Sequence, residues 1–329
     1  MASESSYYVP EQSKLPIMAG LSLGLSAYGA GKIMIDGSWG ALALGMIVFW
    51  CTMIYWWNLV IKENMEGLAG DQLKRSYAWG FSWFIFSEVM FFAAFFGALF
   101  YVRTIALPIL GGAGMGEGNP ELLWNGFEPA WPLQETPDQF ANGESAQFKG
   151  PEHDLGWGGY GWSKLHTWLP LYGTLILMSS SWTVHWAHHA LKHGDNRKKF
   201  NIWLGITIFL GASFLCLQVY EYYEAIHHYG ITLNSGIYGT TFFMLTGFHG
   251  AHVTMGTIFL AIQLFRSLKG HFKEDDHFGF EAASWYWHFV DVVWLFLFVS
   301  VYWWGGSIGI DHTAAMGIEA AADAVSAAH

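Results

Sequence analysis

Charge is what this sequence has least of: 12% of its 329 residues are Asp, Glu, Lys or Arg, about half the share in a soluble domain. That scarcity excludes an ordinary water-facing surface. With 15 Lys and Arg against 26 Asp and Glu, no nucleic-acid partner is expected. Cysteine is nearly absent. Cys51 and Cys216 both lie inside apolar runs, so neither a disulfide framework nor a C-x-x-C metal site is available. The first 14 residues contain Glu4, Pro10 and Glu11 and no basic cluster before a short apolar core. This pattern predicts no cleavable signal peptide.

What the chain has in plenty is apolar and aromatic side chains, 53% and 18% of all residues, with 19 Trp among them. Indoles collect at the two headgroup interfaces of a bilayer, where a ring can be half wet. About 20 apolar residues cross the hydrocarbon core. Seven such stretches occur, at 15–35, 40–61, 77–107, 165–190, 200–224, 235–265 and 282–304. The expected fold is an all-α integral membrane protein with seven transmembrane helices. In the first stretch Gly20, Gly24, Gly29 and Gly31 suit close helix packing, as in Gly20-x-x-x-Gly24, and Lys32 lies near its end.

These stretches divide the chain into a cytoplasmic segment 1–14, helices one and two within 15–61, a cytoplasmic loop 62–76 and helix three at 77–107. An outer loop 108–164, helices four to seven within 165–304 and an Ala-rich tail 305–329 complete it. With seven spans, one side carries Lys14, Lys62, Lys74, Arg75, Lys192, Arg197, Lys198, Lys199, Arg266, Lys269 and Lys273, which is 11 of the 15 Lys and Arg; Lys32, Arg103, Lys149 and Lys164 fall on the other. The positive-inside rule then puts the N-terminus in the cytoplasm and the C-terminus outside. The outer loop holds 12 Gly and 6 Pro with eight carboxylates, Glu117, Glu121, Glu128, Glu135, Asp138, Glu144, Glu152 and Asp154. It reads as irregular and acidic, with a negative field suited to steering a basic partner.

Ionisable residues inside a bilayer are costly, so each needs a partner or a purpose. Glu88 lies about 16 Å into span three and Asp291 about 14 Å into span seven from the same side, at a rise of 1.5 Å per residue. His249 descends from the opposite face to about the middle of span six. Two readings fit such a mid-bilayer group: a proton relay or transport site, or hydrogen-bonded and mostly uncharged side chains that set helix packing. His185-Trp-Ala-His188-His189, His227-His228 and His249-x-x-His252 resemble the histidine boxes of membrane di-iron enzymes. Their predicted depths spread over about 30 Å of bilayer, too far for one metal pair. No metal ligand and no catalytic residue is therefore assigned to this chain. At the cytoplasmic interface Trp56, Trp57 and Glu63 end span two and Arg266 closes span six. An Arg beside paired indoles is suited to a lipid phosphate.

Residues 284–296, Ser-Trp-Tyr-Trp-His-Phe-Val-Asp-Val-Val-Trp-Leu-Phe, resemble the last helix of the cytochrome c oxidase subunit III family. So do His277-Phe-Gly-Phe-Glu281-Ala, Tyr238-Gly-Thr-Thr-Phe-Phe, Thr246-Gly-Phe-His-Gly250, Ser87-Glu-Val and Trp186-Ala-His-His. The likeness runs over spans two to seven. It implies a non-catalytic core subunit of a proton-pumping, oxygen-reducing enzyme, packed directly on subunit I and accompanied by subunit II. Haem and copper would sit in those partners, and cytochrome c would dock at the outer face of the complex. The resemblance also implies a V of two helices and five around bound phospholipid. Trp56, Trp57, Glu63 and Arg266 would contact that lipid, Glu88 would face the cleft, and Asp291 would be the carboxylate of the last span. Such a subunit sustains proton uptake and protects the enzyme during turnover.

Two departures accompany the likeness. Leu68-Ala-Gly70 stands where many relatives carry a histidine pair, and the loop 108–164 is much longer than in mitochondrial relatives. The loop's length points to the cytoplasmic membrane of a bacterium. A quinol-oxidising relative would share every feature named, because the electron donor is chosen by other subunits. A proton-coupled transporter would need inverted repeats or broken helices, and neither is apparent.

Overall fold

The computed structural model describes residues 12–68, 70–111, 131–133, 137–142, 169–192, 196–227, 229–272 and 277–303. Most of the outer loop, the tail and His228 lie outside these. Among the described residues there is no strand. Seven helices of 20 residues or more follow one another: α1 (Leu15–Asp36), α2 (Gly40–Met65), α3 (Asp71–Tyr101), α4 (Leu169–Lys192), α5 (Arg197–His227), α6 (Gly236–Leu268) and α7 (Phe278–Leu297). Five are long and apolar enough to cross a membrane: α2, α3 with its extension to Leu110, α5, α6, and α7 with its extension to Trp303. Several run past their apolar stretches, α3 starting at Asp71 instead of 77 and α6 ending at Leu268 instead of 265. Hydropathy marks the hydrocarbon core, whereas a helix continues into the headgroup layer for as long as its backbone bonds can form.

The chain divides into two compact units, Met1–Trp83 and Phe84–His329. In the first, α1 and α2 pack through small residues, but not those that the Gly20-x-x-x-Gly24 spacing singles out. A side chain at Gly20 or Gly24 would meet nothing within 4 Å. The close approach is at Gly29, where a Cβ would run into the backbone of Leu42 and Ala41, and at Gly45, where it would lie 2.5 Å from Ser26 Oγ. Ser22 and Ser26 are buried there and turn their hydroxyls back onto Ala19 and Ser22 carbonyls at 2.9 and 2.8 Å. Of the four glycines of the first stretch, Gly29 makes the close contact, while Gly20, Gly24 and Gly31 face open space.

The second unit is organised around α7. Two-thirds of its most apolar stretch, 67%, is buried, against 11% for the corresponding stretch of α3. Trp287 and Trp294, seven residues apart on one face, are almost fully enclosed. Their indole N–H groups donate to Ser180 Oγ at 2.9 Å and Thr174 Oγ1 at 3.0 Å on α4. The rings fit because Gly211 on α5 and Gly256 on α6 leave room for Trp287, and Gly173 for Trp294. This explains why α4 falls outside the five most apolar helices. Its buried Thr174, Ser180 and Thr183 recur every three to six residues and face other helices, Thr183 bonding Thr207 of α5 at 2.8 Å. Small hydroxyl residues permit close approach and give indoles an acceptor.

The end of α3 widens into a π turn at Val102–Ala106 before a last turn at Leu107–Leu110. Pro108 supplies the reason: it has no N–H for the Thr104 carbonyl, and its ring crowds the preceding turn.

Candidate functional site

The polar side chains of the Phe84–His329 unit separate into distinct groups. Glu88 on α3 pairs with His252 on α6, Oε2 to Nε2 at 2.9 Å. The same imidazole turns Nδ1 to the Phe248 carbonyl at 2.6 Å. A carbonyl oxygen only accepts, so Nδ1 carries a hydrogen. One proton then lies between Nε2 and Oε2, on the imidazole or on the carboxyl, and the pair has zero net charge either way. Aromatic rings surround it, with centroids 5.0 Å (Phe92), 6.1 Å (Phe91), 6.3 Å (Tyr286) and 6.4 Å (Phe289) from the imidazole. The side chains stay partly accessible, 23% for Glu88 and 15% for His252.

His249, one turn before His252, is completely buried between Phe214 and Trp294, with ring centroids at 5.8 and 5.2 Å. Neither of its nitrogens has a hydrogen-bond partner among the described residues. Asp291 is 2% exposed and its two oxygens are likewise without one. Ser181 Oγ lies beside the Asp291 carboxyl but is engaged with His288 Nδ1 at 2.8 Å. No hydrogen bond joins any two of Glu88, His249 and Asp291 among the described residues. The residue that completes Glu88 is His252, which sequence reasoning placed only in a histidine box. The i, i+3 spacing of His249 and His252 was the available signal, since it puts both on one flank of α6.

A third intramembrane carboxyl is one that the sequence alone does not single out. Glu221, near the C-terminal end of α5, is 3% exposed and lies against the Tyr302 hydroxyl. Close by, Gln218 Nε2 donates to the Thr246 carbonyl at 2.6 Å and the Tyr222 hydroxyl bonds Thr246 Oγ1 at 2.7 Å. Glu221 sits close to the end of its apolar stretch, and the groups beside it, Tyr238 and Tyr302, come from other segments of the chain, so its burial carries no signal in the sequence.

The four lipid-contact candidates fall in different units. Trp56 and Glu63 share one face of α2, two turns apart, with Trp57 exposed beside them. Arg266 lies in the last turn of α6, its Nη1 donating to Gln263 Oε1 at 3.2 Å and its guanidinium 5.0 Å from the Phe272 ring centre. Gly279 of α7 leaves the space that the guanidinium fills.

Comparison with known proteins adds the family. The model of "Cytochrome c oxidase subunit III" matches residues 5–118 and 145–306, leaving 119–144 of the long loop unmatched. "Cytochrome c oxidase subunit 3" of Sus scrofa is 39% identical over 302 residues, covering 91% of this chain and 97% of the relative. The proteins of the same name from Bos taurus and Oryctolagus cuniculus are 38% and 37% identical over the same shares. The buried indoles on α7, the glycines that receive them and a membrane-type helical bundle thus belong with a match over most of the chain: it is a member of the cytochrome c oxidase subunit III family.

Proposed function

We propose that this chain is a non-catalytic core subunit of a proton-pumping cytochrome c oxidase, held directly against subunit I in a bacterial cytoplasmic membrane. All seven helices cross the bilayer, with the N-terminus cytoplasmic and the C-terminus outside, as the distribution of Lys and Arg favours. Haem and copper reside in partner subunits, and this chain sustains proton uptake and binds phospholipid through Arg266 and through Trp56, Trp57 and Glu63.

The observation that carries the supporting role is the Glu88–His252 pair. Two groups that share one proton, carry no net charge and sit in a cage of Phe91, Phe92, Tyr286 and Phe289 are suited to locking α3 onto α6. A proton carrier needs a chain of further polar groups, and no hydrogen bond runs from this pair to His249 or Asp291 among the described residues.

The test is to purify the oxidase with and without this chain. With it, haem-bearing partners copurify. Without it, initial cytochrome c oxidation persists while proton uptake slows and activity decays sooner in turnover. Equal lifetimes and uptake rates in both preparations would overturn the supporting role, and loss of all activity at the first turnover would make the chain part of the catalytic machinery.

A further inference from the structure

His188, His277 and Glu281 converge where the C-terminal turn of α4 meets the start of α7, away from the Glu88–His252 pair. His188 Nε2 is 3.6 Å and His277 Nε2 is 3.2 Å from Glu281 Oε1. The three ligand atoms all lie within 4.8 Å of one another. Local structure brings them there: His277 caps α7, its carbonyl accepting from Phe280 and Glu281 N–H, so His277 and Glu281 share a face four residues apart.

These groups meet without satisfying one another. Neither His188 Nε2 nor either nitrogen of His277 has a hydrogen-bond partner among the described residues, although all are buried from water. A buried polar atom left this way calls for a missing partner. Two imidazoles at 5.9 Å between centroids, tilted by 70°, bring their Nε2 atoms to one carboxylate oxygen. Phe280, fully buried, packs edge-on against His188 and holds that ring in place. The Glu281 side chain is 30% exposed and leaves a way in.

We infer that His188, His277 and Glu281 form a binding site for a divalent transition-metal ion of the zinc class, with water as fourth ligand. Tetrahedral zinc with nitrogen and oxygen ligands at 2.0–2.2 Å sets its donors about 3.3–3.5 Å apart. The two distances to Glu281, 3.6 and 3.2 Å, lie within about 0.1 Å of that range, and small ring rotations would close the gap between the two imidazoles. Two imidazole donors select against calcium and magnesium, which take oxygen. The bound ion would staple α4 to α7. The site stands on these three residues alone and does not depend on the supporting role proposed above.

The probe is zinc itself, added to chelator-treated protein purified with whatever subunits accompany it. Wild-type protein is expected to hold one zinc equivalent more than the His188→Ala/His277→Ala variant, with a zinc-edge X-ray absorption spectrum showing two imidazoles and a carboxylate. Glu281→Gln should weaken binding at least about tenfold, and His185→Ala should leave it unchanged. Should the double variant fail to assemble, His277→Gln, which keeps a polar cap, is measured in its place and should also lose the equivalent. Equal zinc content in wild type and variant, or a spectrum without imidazole scattering, overturns the site.

Discussion

Trp287 is held so tightly that adding one methyl group across from it should cost as much as trimming the indole. A Cβ on Gly211 would lie 2.6 Å from Trp287 Cη2 and 3.1 Å from Cζ2, and 2.9 Å from Thr257 Oγ1. Carbon atoms pack at about 3.5–4.0 Å, so Gly211→Ala must push the indole by about 1 Å. That shift also stretches its 2.9 Å bond to Ser180. Overpacking of this kind costs about 1–3 kcal/mol, and a hydrogen bond between helices in a membrane is worth about 0.6–1.7 kcal/mol; we expect about 2 kcal/mol for Gly211→Ala. Trp287→Phe loses the same bond and leaves a void, and should also cost about 2 kcal/mol. The two changes share one space. The shorter Phe ring leaves room for the alanine methyl, so the double variant should be destabilised by about 2 kcal/mol or less, well below the sum. Gly205→Ala is the control, because nothing lies within 4 Å of that position; it should be neutral or stabilising by up to about 1 kcal/mol from helix propensity. The assay is thermal release of this chain from the purified complex. Singles that add to within about 0.5 kcal/mol in the double variant would refute the shared contact.

Three further outcomes follow from the same structure. Glu88→Gln can still donate to His252 Nε2, so assembly, electron transfer and proton translocation should largely survive, while Glu88→Ala removes the hydrogen bond to a partly accessible imidazole and should lower thermal stability by about 1 kcal/mol. Loss of pumping in Glu88→Gln with intact assembly would assign the proton a pathway through this residue. Arg266→Ala should reduce copurifying phospholipid and shorten functional life at unchanged haem content, and full lipid retention would remove Arg266 from lipid binding. Neutralising four of Glu117, Glu121, Glu128, Glu135, Asp138, Glu144, Glu152 and Asp154 should slow cytochrome c association at low ionic strength and change little at high. An unchanged rate at both would give the loop another task.

The sequence by itself determined the class of the molecule and most of its helices. Long apolar runs bounded by charge admit little but membrane-type helices, since every backbone polar group must be satisfied within its own segment. The α7 stretch from Ser284 to Phe296 carried the family on side-chain identity alone. Only the tertiary structure decided which polar groups meet. Glu88 finds His252 rather than His249 because partner choice depends on the rotation of α3 and α6 about their axes, and one helical turn carries no hydropathy signal to set it. Glu221 becomes an interior carboxyl, and of Gly20, Gly24, Gly29 and Gly31 only Gly29 packs closely, joined by Gly45, for the same reason: a residue's spacing marks which face of its own helix it occupies, but what that face touches is chosen by the neighbouring helix. His188 lies about ninety residues before His277 and Glu281 along the chain and meets them only because α4 and α7 are drawn together by two indoles on two hydroxyls.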